Sequence, residues 1–108
     1  MDGPCQVSVA AGSAEEAAAV ADALLDGRLA ACVQVVGPVE SRYWWDGAKQ
    51  SATEWLCLAK SRLALLDQVV AAVRAVHAYD VPEVVATPIV GGDPDYLAWL
   101  SGTTGGEA

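Results

Sequence analysis

His77 is the only histidine among 108 residues. Imidazole can shuttle protons near neutral pH and is a good ligand for copper or zinc. A metal site built on one histidine needs further ligands from carboxylates or thiolates, and Asp80, Glu83, Cys32 and Cys57 are the candidates. No His-x3-His or Cys-x-x-Cys spacing exists, so these residues imply a metal site of modest affinity rather than a closed cage. The plainer expectation for the three cysteines, Cys5, Cys32 and Cys57, is burial as small hydrophobes. His77 with Glu83 also has the residue types for general acid/base work. However, no G-x-S-x-G elbow accompanies them, and Ser61 stands at a helix start, a capping position. The chain therefore reads as a non-enzyme.

The elements that hold these residues can be placed from periodicity. Cys5, Val7 and Val9 alternate with Gln6 and Ser8 as in a half-buried strand over 5–10. Ser13-Ala14-Glu15-Glu16 has the form of a capping box, and Ala17, Val20, Ala21, Leu24 and Leu25 repeat at helical spacing over 14–26, with Gly27 as the stop. Two strands follow, over 29–45 and 53–61, joined by Asp46-Gly47, a dipeptide favoured in tight hairpin turns. A second helix over 63–77 carries the stripe Leu66, Val69, Val70, Val73 and Val76, which places His77 at its C-terminus. The run 83–90 is a β-branched strand between Pro82 and Gly91-Gly92. Asp93 and Pro94 then open a short third helix docked by Tyr96, Leu97, Trp99 and Leu100. The order β-α-β-β-α-β resembles the ferredoxin-like arrangement, an α+β fold with an antiparallel four-stranded sheet and both helices on one face. One domain over 1–102 is expected, with 103–108 as a flexible tail.

The hairpin is too long for that sheet. Residues 29–45 extended would span roughly 55 Å at about 3.3 Å per residue, against a radius of gyration of about 13 Å for a domain this size. An overhanging ribbon tipped by Tyr43, Trp44 and Trp45 implies packing against another subunit. The competing expectation is a hairpin folded back on its own sheet at Gly37-Pro38.

Charge narrows the partners. Six basic against fourteen acidic residues give a formal charge of −8 in a chain that is 54% hydrophobic, a surface that repels nucleic acids and anionic membranes and attracts cations. The first strand lacks the aromatic residues of an RNA-recognition sheet. An acylphosphatase of this fold would need an asparagine, and the chain has none. No apolar run approaches the roughly 20 residues that span a bilayer, and the expected location is the cytoplasm.

Several stretches in order resemble the CutA divalent-cation-tolerance family: Arg28-Leu29-Ala30-Ala31-Cys32-Val33-Gln34, Ser41-Arg42-Tyr43-Trp44-Trp45-Asp46-Gly47, Glu54, Lys60-Ser61, His77-Ala78-Tyr79-Asp80-Val81-Pro82-Glu83 and Tyr96-Leu97-Ala98-Trp99-Leu100. The family shows Asn where this chain has Gln34, and His-Pro-Tyr-Glu where it has His77-Ala78-Tyr79-Asp80. The resemblance implies a homotrimer joined through the long hairpin, with Tyr43, Trp44 and Trp45 at the contact. It also implies a shape similar to the PII signalling trimers, and a role in tolerance of copper or another divalent cation, with no organic cofactor. By motif position it places Arg28, Lys60, His77, Tyr79 and Glu83 in a cleft between subunits, where a small-molecule ligand is the alternative occupant. For a metal, His77, Cys32 and Asp80 are the ligands expected first.

Overall fold

The computed structural model describes residues 2–105. Four strands, β1 (Pro4–Ala11), β2 (Cys32–Trp45), β3 (Ala48–Arg62) and β4 (Val84–Pro88), alternate with helices α1 (Ala14–Asp26), α2 (Leu66–Val76) and α3 (Pro94–Thr103). The strands form one sheet in the order β2-β3-β1-β4, with every pair antiparallel. This is the ferredoxin-like topology that the order of elements implies.

Alternation decides which face is covered. Cys5, Val7 and Val9 of β1 and Cys57 and Ala59 of β3 are fully buried against Ala17, Val20 and Leu24 of α1 and Val69 and Val73 of α2. Both helices therefore sit on one face. The helix ends are set by capping: Ser13 Oγ accepts the Glu16 N–H at 3.0 Å, and Asp93 accepts the Tyr96 N–H at 2.9 Å with Pro94 at the first turn. Gly27 ends α1, yet the left-handed position falls one residue later, on Arg28 at φ 57°. Leu63–Leu65 is a 3-10 turn, so the second helix begins at Leu66 rather than 63.

The third helix docks through fewer residues than its sequence suggests. Leu100 is fully buried, whereas Tyr96 and Trp99 stay exposed and pack on each other at 5.4 Å. Thr103 to Gly105, expected in the tail, are held in place. Thr103 closes α3, buried Thr104 accepts the Arg62 Nε–H at 2.9 Å, and the Gly105 N–H donates to Arg28 O at 2.9 Å. Residues 106–108 lie outside the described residues.

The long hairpin overhangs instead of folding back. β1 pairs with β3 only from Trp55 onwards, so the seven pairs from Val39↔Glu54 to Trp45↔Ala48 project past the sheet. At about 3.4 Å per residue that is roughly 24 Å of two-stranded ribbon, and the molecule is accordingly drawn out to 44 × 25 × 24 Å. Asp46 and Gly47, at φ 53° and 77°, close it as a primed turn. Trp44 and Trp45 at the tip are 72% and 58% exposed.

A register shift between Val36 and Val39 re-aims the ribbon. Before it, Val36 pairs with Leu56; after it, odd-numbered Val39, Ser41, Tyr43 and Trp45 pair with even-numbered Glu54, Ala52, Gln50 and Ala48. Residues directly opposite share a face, so the shift swings Tyr43 and Trp45 onto the face of Glu54. Gly37 is required there, because a Cβ on it would lie 2.5 Å from Trp55 Cδ1.

Candidate functional site

Where α2 ends, the chain crosses the open end of β1. The Pro4 carbonyl accepts from the Ile89 N–H just past the end of β4, so even-numbered β1 carbonyls point toward that strand. Pairing with β4 stops at Val9↔Val84, which leaves Ala10 O without a strand partner. His77 supplies one: its Nε2 lies 2.6 Å from Ala10 O. The Tyr79 N–H donates to Nδ1 at 3.1 Å. A carbonyl can only accept and an amide N–H can only donate, so the ring is the neutral Nε2–H tautomer with both nitrogens engaged.

The carboxylate beside it is Glu16. Its Oε1 accepts the Gly12 N–H at 2.9 Å and its Oε2 the Ala78 N–H at 2.7 Å, with Oε1 3.9 Å from His77 Nε2. The capping-box glutamate thus ties the start of α1 to the loop after α2, instead of reaching back to its own cap. Burial alone would raise the Glu16 carboxyl, but the Gly12 and Ala78 N–H donors outweigh it and hold the group below the usual carboxylate range.

Tyr79 carries the loop onward to the hairpin. Its ring packs edge-on against His77 at 4.7 Å, and its hydroxyl donates to Glu54 Oε2 at 3.1 Å. Burial raises the phenol, and the hydrogen bond and charge of Glu54 raise it further, so it stays a donor. Glu54 itself is only 8% exposed. Together, loop and ribbon enclose a recess of ≈ 620 Å³, lined by Tyr43, Trp45 and Glu54 from the hairpin and by Tyr79, Asp80 and Glu83 from the loop. Arg42 also reaches it, although its guanidinium is turned to Glu40 at 3.3 Å.

Within one chain, the residues expected at the cleft between subunits and at the metal separate into two groups. Tyr79, Asp80 and Glu83 line the recess, and His77 braces it from behind with a side chain shut off from solvent. Arg28, Lys60 and Cys32 lie at the opposite end of the sheet. Lys60 pairs with Gln6 on one side and Cys32 on the other, four residues along β1 from Ala10, or about 13 Å. There Lys60 Nζ donates to Gln34 Oε1 at 3.4 Å, and Arg28 Nη1 to Thr103 O at 3.5 Å.

The expected metal set of His77, Cys32 and Asp80 therefore does not assemble within the chain. The imidazole has no free lone pair, Cys32 is at the far end, and among the described residues no three His, Cys, Asp or Glu side chains converge. Cys5 and Cys57 are the buried small residues expected, their thiols pushed up by burial, and Cys57 Sγ donates to Ala17 O. Glu54 and Glu16, which the sequence marks only as a family-like position and a capping residue, are the site residues given no role there. An acid in the otherwise apolar run Glu54-Trp55-Leu56-Cys57-Leu58-Ala59 was the available signal for the first.

Comparison with known proteins agrees with this architecture. The profile of the CutA1 divalent ion tolerance protein family matches residues 5–103. A Thermus thermophilus divalent-cation tolerance protein CutA is 42% identical over 93 residues, which cover 86% of this chain and 90% of that protein. The solved structure of divalent cation tolerance protein Cut A1 from Thermus thermophilus superposes with a TM-score of 0.93 at 39% identity, covering 94% of this chain and 99% of that one. A rice protein, CutA 1, chloroplastic, is 47% identical over 85 residues, covering 79% of this chain; the chain spans about half of that relative's length, 48%. With the hairpin, the brace at His77 and all of the sheet but Pro4 falling inside the matched span, the chain belongs to the CutA1 divalent ion tolerance family.

Proposed function

We propose that this chain acts in divalent-cation tolerance as a non-catalytic homotrimer, holding cations, copper among them, with modest affinity. The observation that carries the reading is the overhanging ribbon. Two strands with seven unsupported pairs and an exposed Tyr43, Trp44 and Trp45 at the tip are marginal alone and gain stability when sister chains cover them. A non-catalytic role is supported by His77, whose two nitrogens are committed to backbone partners and leave no base for proton transfer. Modest affinity is what carboxylates that line one recess without converging, Glu54, Asp80 and Glu83, would give. The free thiols support the cytoplasm as the location.

Calorimetric titration of Cu²⁺ into the native chain, His77→Ala and the pair Asp80→Asn/Glu83→Gln tests this reading. The carboxylate variant should lose binding and the histidine variant should keep it. A second reading, a PII-like sensor with a small ligand between subunits, is favoured by the size of the recess and by a Glu54 oxygen that accepts no hydrogen bond among the described residues.

A further inference from the structure

Glu54 is held in an unusual state for a carboxylate. The residue is 8% exposed, its Oε2 is taken by the Tyr79 hydroxyl, and its Oε1 accepts no hydrogen bond among the described residues. Every fully enclosed side-chain nitrogen or oxygen in those residues has a partner, so Oε1 must open onto the recess it lines. A nearly buried carboxylate with a vacant acceptor is stabilised by a donor that brings positive charge.

The rest of the lining selects the same charge. Three carboxylates, Glu54, Asp80 and Glu83, face one guanidinium, Arg42, which is already paired with Glu40. Anions are disfavoured there. In the single chain Tyr43, Trp45 and Tyr79, each between 40% and 58% exposed, add aromatic faces of the kind that attracts cations lacking a tight water shell. The volume, ≈ 620 Å³, is that of a site for a small organic molecule rather than for a bare ion.

We propose that the recess binds an organic ammonium ion, its amine donating to Glu54 Oε1 and its apolar body lying against Tyr43 and Trp45. This rests on the second reading above and names the ligand class for it. An ammonium fits better than a guanidinium, because the planar fork needs both carboxylate oxygens and Tyr79 holds one of them.

Calorimetric titration of the full chain with phenethylammonium and with 2-phenylethanol, the same body without the charge, tests the proposal. The amine should bind at least about tenfold more tightly than the alcohol, and Glu54→Gln should cancel that preference while leaving the alcohol unaffected. If Glu54→Gln fails to fold, Asp80→Asn, whose side chain makes no hydrogen bond among the described residues, should weaken the amine several-fold, and the Trp45 indole N–H resonance should shift on binding. Equal affinity for amine and alcohol would overturn the ammonium assignment and leave a small-ligand recess standing. Binding of neither at millimolar concentration would remove both readings. A lysine Nζ from a neighbouring copy seated on Oε1 in the assembled protein would also overturn the proposal.

Discussion

Replacing His77 with alanine separates a brace from a ligand. The ring is shut off from solvent, and it alone fills the position opposite Ala10 O, on a residue 3% exposed. Removing it leaves that carbonyl unpaired, at a cost of about 1–3 kcal/mol. It also removes the edge contact to Tyr79, worth about 0.5–1.5 kcal/mol. A loss near 3 kcal/mol lowers the unfolding midpoint by about 12–24 °C in a domain of this size. Thermal unfolding followed by circular dichroism, with native and variant at one protein concentration, measures it, since oligomer stability depends on concentration. Copper titration of the still-folded variant at low temperature completes the test. An unchanged midpoint together with lost copper binding would refute the reasoning and return His77 to the metal.

Other perturbations probe the same framework. Ala78→Pro restores the family's residue but deletes the N–H that Glu16 Oε2 accepts. A charged hydrogen bond worth about 1.5–3 kcal/mol outweighs the roughly 0.4–1 kcal/mol that proline gains from a stiffer unfolded chain, so chemical denaturation should show a less stable variant. The Glu16 carboxyl is held below its unfolded value, so its stabilising contribution is complete above the ordinary carboxylate range and fades as pH falls through the lower folded value. Glu16→Gln should flatten that acid limb of the stability profile, and an unaltered limb would count against the Gly12 and Ala78 bonds. Gly37→Ala drives a methyl group into Trp55 and should cost about 1–3 kcal/mol in urea unfolding, with a midpoint equal to native showing that the bulge has room to spare.

The fold was legible because its signals are local. Alternation in Cys5–Val9, the cap at Ser13 and the Asp46-Gly47 turn each name an element without reference to the rest of the chain. The start of β3 was not. Ala48-Lys49-Gln50-Ser51 has no apolar alternation because neither face of that stretch is covered by its own chain, so a strand set to begin near 53 begins at Ala48. Thr104 was hidden for a different reason: its burial depends on Arg62, a partner 42 residues away. Of the recess, only the loop residues could be read from the sequence. Tyr79 and Glu83 of the expected cleft line one recess, with Asp80 of the expected metal set between them, but the burial of Glu54 under Tyr79 and the facing of Tyr43 and Trp45 depend on one register shift. The role of His77 depends on which β1 carbonyl outlasts β4. Arg28 and Lys60 share the family pattern with His77, and a pattern along the chain carries no information on which end of the sheet each residue occupies.

In the proposed assembly the exposed ribbon is central, because its aromatic tip is what neighbouring chains would cover. Light scattering on the purified chain at micromolar concentration is the most direct test. The account predicts a single particle with the mass of three chains, and a stable particle with the mass of one would contradict it.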